Sequence, residues 1–60
     1  MDHKDRVQYA RSLYDAHGSK AEAEAAQKAA SARAAGNAAE AQTWESIRAQ
    51  IREMRSAYQG

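Results

Sequence analysis

Apolar and small residues recur along this chain at helical spacing in three blocks. In the first, Val7, Ala10, Tyr14 and His17 fall on one stripe. Tyr9, Leu13 and Ala16 widen it, and Lys4, Gln8, Arg11, Ser12 and Asp15 take the opposite face. Arg6 falls toward the apolar side, within reach of water from the first turn. The second block is more than half Ala. One stripe is Ala21, Ala25, Ala29 and Ala32, the other Ala23, Ala26, Ala30 and Ala34, with Lys20, Glu24, Gln27, Lys28 and Ser31 as the polar side. Two smooth faces suit two close neighbours, which marks this helix as the expected middle of a bundle. In the third block Trp44, Ile47, Ile51, Met54 and Tyr58 recur at intervals of three and four, a seam close to a coiled-coil pattern. Arg48, Arg52 and Arg55 flank it. The pattern predicts helices over Asp2–Ala16, Lys20–Ala35 and Ala38–Tyr58 in one domain, residues 1–60.

The punctuation agrees. Gly36 is placed to accept the left-handed backbone that closes a helix. Asn37 is a good N-cap for the next helix, and Glu40 stands three residues on, as in a capping box. Stop and start signals back to back predict an αα-hairpin. Asp2 is a candidate cap for the first helix. Gly18 and the run Ser19-Lys-Ala-Glu22 match a second stop and start. The competing reading is one long helix from Asp2 to Ala35, with Gly18 costing about 1 kcal/mol inside it. The fold class is all-α: a small three-helix bundle built on the hairpin, with Asp2–Ala16 across it.

Composition supports this class. Sixteen of the residues are Ala, the strongest helix former, and there is no Pro. Absence of Cys excludes disulfides and thiolate metal sites. Large apolar residues are few, so the core is marginal alone. That favours a homodimer, or docking on a larger cytosolic partner. The net charge of +1 gives no global field toward nucleic acid or membrane. No apolar run is long enough to span a bilayer, and Met1–Arg6 lacks an apolar leader, so a cytoplasmic location is expected.

Candidate chemistry is sparse. Arg48, Arg52 and Arg55, joined across the hairpin by Arg33, have the character to grip phosphates or partner carboxylates. A solvated flank paired with Glu45 and the Asp residues of the first helix explains them more simply. His3 and His17 are not at ligand spacing, and no cofactor or metal is implied. Tyr9, Tyr14, Trp44 and Tyr58 have helical spacing and read as core rather than as a ligand pocket. No nucleophile–base–orienter set suggests itself, so the chain is not expected to be an enzyme. Two functional readings stay open. The leading one is a non-enzymatic protein–protein interaction or accessory-subunit module. Its expected interface is Trp44, Ile47, Ile51, Met54 and Tyr58 with Arg48, Arg52 and Arg55. The alternative is a nucleic-acid-associated regulator using the Arg flank.

Gly36-Asn37 followed by Glu40-Ala41 and Trp44 resembles the middle of a tetratricopeptide-type helical hairpin. The match covers about a fifth of the chain, Gly36–Ile47, and implies hairpin geometry only, since such arrays need several stacked repeats. A second similarity covers most of the chain. Tyr14-Asp-Ala-His17-Gly18, Ala21-Glu-Ala-Glu-Ala-Ala, Ala35-Gly36-Asn37 and Trp44-x-x-Ile47 leading to Met54-Arg55 resemble short uncharacterised alphaproteobacterial helical proteins. That resemblance implies a bacterial cytosolic helical protein and no particular activity.

Overall fold

The computed structural model describes the backbone of residues 3–59 and the side chains of residues 4–57. It is an all-α three-helix bundle: α1 (His3–His17), α2 (Lys20–Ala34) and α3 (Ala38–Gln59). The Asp2 cap lies outside the described residues. Gly18 breaks the first helical segment, with φ +63°, which removes the single long helix. Its N–H closes α1 by donating to the Tyr14 carbonyl at 2.7 Å, and its own carbonyl accepts from Ala21 N–H at 3.0 Å.

The second turn is more fully built. Gly36 takes φ +80°. Gly36 N–H donates to Arg33 O at 3.0 Å and Asn37 N–H to Ala32 O at 2.9 Å, the paired bonds of a Schellman closure. Asn37 Oδ1 then accepts the Glu40 N–H at 3.1 Å and caps α3. In a capping box the Glu carboxylate would take the N-cap backbone N–H. Here that N–H is already committed to Ala32, so Glu40 Oε2 accepts from Asn37 Nδ2 instead, at 2.9 Å.

Ser19-Lys-Ala-Glu22 does not form a capping box. Ser19 lies in the right-handed helical region (φ −64°, ψ −19°), and its side chain makes no cap hydrogen bond. The Ala21 N–H is already satisfied by Gly18, and Glu22 turns instead to Arg55.

The core consists of Ala10, Ala21, Ala25, Ile47 and Ile51, extended by Ala29, Ala32 and Ala41. Leu13, Tyr14, Trp44 and Met54 pack on it half-buried. The stripe Ala21, Ala25, Ala29 and Ala32 lets α2 lie closely on α3, and Ile47 and Ile51 fill the space. α3, not α2, is the middle of the bundle: it packs on both other helices more extensively than α1 packs on α2. The other α2 stripe, Ala23, Ala30 and Ala34 with half-buried Ala26, faces outward. Position on a helix predicts two smooth faces, but α1 chose the larger side chains of α3 over the second of them.

Candidate functional site

The apolar residues of the predicted interface divide into three groups. Ile47 and Ile51 are 1% and 0% exposed, so they close this chain's own core, and Ile47 also floors the groove described below. Trp44 and Met54 are half-buried and keep an edge at the surface. The side chain of Tyr58 lies outside the described residues.

Trp44 is where the three helices meet. From α1, Tyr9 approaches edge-on, with ring centroids 5.7 Å apart and planes at 77°. From α2, Lys28 Nζ lies 5.5 Å from the Trp44 ring centroid. An edge-to-face pair contributes about 0.5–1.5 kcal/mol beyond its buried area, and an exposed cation–π contact about 0.5–1 kcal/mol. These contacts fix the indole between α1 and α2. Tyr9 is the one large apolar side chain classed as exposed among the described residues, at 41%. Beside it an open groove of about 460 Å³ runs between Tyr9 and the first turns of α3, over Thr43, Trp44 and Ile47, with Glu40 at its rim. The helical spacing of Tyr9 predicts a core position. The structure puts it at the edge, because Ala10 next to it takes the buried position against α3.

The arginines separate. Arg55 Nη1 meets Glu22 Oε1 at 3.0 Å, an ion pair with α2 rather than with α1. Arg48 and Arg52 make no ion pair or hydrogen bond among the described residues. Arg33 does not join them. The helices of the hairpin are antiparallel, with Glu22 beside Arg55 and Lys28 beside Trp44, so Arg33 sits toward the turn. It is eleven residues from Glu22, about 16 Å of helix away.

Elsewhere, Arg6 is half-buried and its Nη1 donates to Ser46 Oγ on α3 at 3.2 Å, rather than reaching free into water. His17 Nδ1 stands 3.0 Å from Glu24 Oε2, which ties the end of α1 to α2. No group of three or more His, Asp or Glu among the described residues is placed to hold a metal ion. Among the described residues no helix is long and apolar enough to cross a membrane. No family model, curated protein or solved structure matches the chain.

Proposed function

We propose that this chain is a non-enzymatic protein–protein interaction module acting in the cytoplasm. Its partner, a second copy of the chain or a larger protein, seats an apolar side chain in the groove between Tyr9 and Trp44 and continues over the exposed edge of α3. The observation that supports this reading is the groove itself. A small bundle with few large apolar residues leaves Tyr9 on its surface beside an open, mainly apolar hollow, where a buried position would have stabilised the fold more. Trp44 is held there by contacts to two helices, and a rigid aromatic anchor loses little entropy on binding.

The test is light scattering behind a sizing column over a range of concentrations, with partner capture in parallel, on the wild type and on Tyr9→Ser and Thr43→Glu. Both substitutions spare the Ile47–Ile51 core. The expected result is a loss of association of about tenfold or more, with helix content unchanged. Folded variants that associate as the wild type does would refute the groove as an interface.

A further inference from the structure

Arg48, Arg52 and Arg55 stand at i, i+4 and i+7 on α3, over two shallow depressions to which α1 contributes nothing. One, of about 210 Å³, lies between Glu22, Ala23 and Ala26 of α2 and Arg48 and Arg55 of α3. The other, of about 150 Å³, lies along α3 between Glu45, Arg48, Ala49 and Arg52. Half-buried Arg48 is the ridge between them.

The charges on this face are not balanced locally. Glu22 neutralises Arg55. Glu45 shares a depression with Arg48 and Arg52 but is within ion-pair distance of neither. Like charges one turn apart destabilise the helix that carries them, and neither arginine is paired among the described residues. We propose that this face of the hairpin docks an acidic helix of another protein, whose carboxylates at i and i+4 pair with Arg48 and Arg52.

Three features select that occupant. Carboxylates one turn apart on a helix have the same spacing, about 5–6 Å between Cβ atoms, as the two arginines. Each guanidinium offers a planar fork that fits a carboxylate through two parallel hydrogen bonds. Ala23, Ala26 and Ala49 beside the arginines have side chains small enough for a partner helix to approach to roughly 8–10 Å between axes. A nucleic-acid backbone fits less well. Glu22 and Glu45 interrupt the positive surface, Arg33 is at the far end of the hairpin, and the whole chain carries only +1. The proposal does not rest on the Tyr9–Trp44 groove, which involves α1 and other residues of α3.

The test is fluorescence anisotropy with a labelled, end-capped, Ala-rich helical peptide carrying Glu at i, i+4 and i+7 on one face. A matched peptide has Gln at those positions, and duplex DNA is run alongside. The expected result is about tenfold tighter binding of the Glu peptide than of the Gln peptide. That advantage is lost in Arg48→Gln/Arg52→Gln and kept in Lys4→Gln/Arg11→Gln, which removes the same charge from α1. Arg48→Gln/Arg52→Gln should melt no lower than the wild type, because it relieves a repulsion. Equal binding of the two peptides, or equal loss in both double variants, overturns the proposal. So does duplex DNA binding more tightly than the Glu peptide through the same arginines. Tyr9→Ser leaves the peptide result unchanged, so failure here and failure of the groove are told apart.

Discussion

The two alanine stripes of α2 have the same composition and opposite fates. Ala21, Ala25 and Ala29 are 0% exposed and Ala32 is 8% exposed. Ala23, Ala30 and Ala34 are exposed, and Ala26 is half-buried. The difference does not lie in the alanines. It lies in which neighbour brings a side chain large enough to fill the space that an alanine leaves. Ile47 and Ile51 do so for the inner stripe. The outer stripe has no such neighbour among the described residues, and Arg48 and Arg55 border it instead. An Ala face is therefore a socket, and its role is set by the knob that meets it.

The largest expected effect comes from removing that knob. Ile51→Ala empties the space facing the inner stripe and should cost about 2–5 kcal/mol, read as a lower urea midpoint. A cost below about 0.5 kcal/mol would mean that the site collapses freely and the inner stripe is not a packed interface. The ends of α2 sharpen the comparison further. Asn37→Ala removes the α3 cap at the hairpin turn and should cost about 1 kcal/mol. Ser19→Ala removes a hydroxyl that caps nothing and should stay within about 0.5 kcal/mol. Equal losses would show that the first turn is capped after all. A surface-pair effect is expected at Glu22, which lies between the stripes. Glu22→Gln breaks the pair with Arg55, for a loss of up to about 1 kcal/mol that shrinks as salt is added. A loss independent of salt would assign Glu22 a packing role instead.

Much of this fold was legible in the sequence. Periodicity located all three helices to within a residue or two, because each block has a consistent apolar face. Gly36-Asn37 was legible because the residue types that close one helix and open the next stand side by side. Ser19 and Glu22 carried the same signature as Asn37 and Glu40, yet only the second pair formed. Local pattern offers a cap, and backbone conformation and competing partners decide whether it is used. The contacts of Trp44 with Tyr9 and Lys28, and of Glu22 with Arg55, were not legible. They depend on how each helix is rotated about its axis against another, which spacing within one helix does not determine. The same rotation buried Ile47 and Ile51 and left Tyr9 outside, whereas Arg33 is parted from the other arginines by its place along the antiparallel hairpin.

The most direct test of a bundle closed on the inner stripe alone is one change made twice: Ala25→Leu and Ala30→Leu, melted side by side at one protein concentration. Ala25 is fully buried, so the added methylenes should overpack the core at a cost of about 1–3 kcal/mol. In a domain of this size that is a fall of roughly 4–8 °C per kcal/mol. Ala30→Leu should melt within a few degrees of the wild type, about 0.5 kcal/mol or less. If Ala30→Leu falls as far as Ala25→Leu, the outer stripe is also packed against something, and the division between the two faces of α2 is wrong.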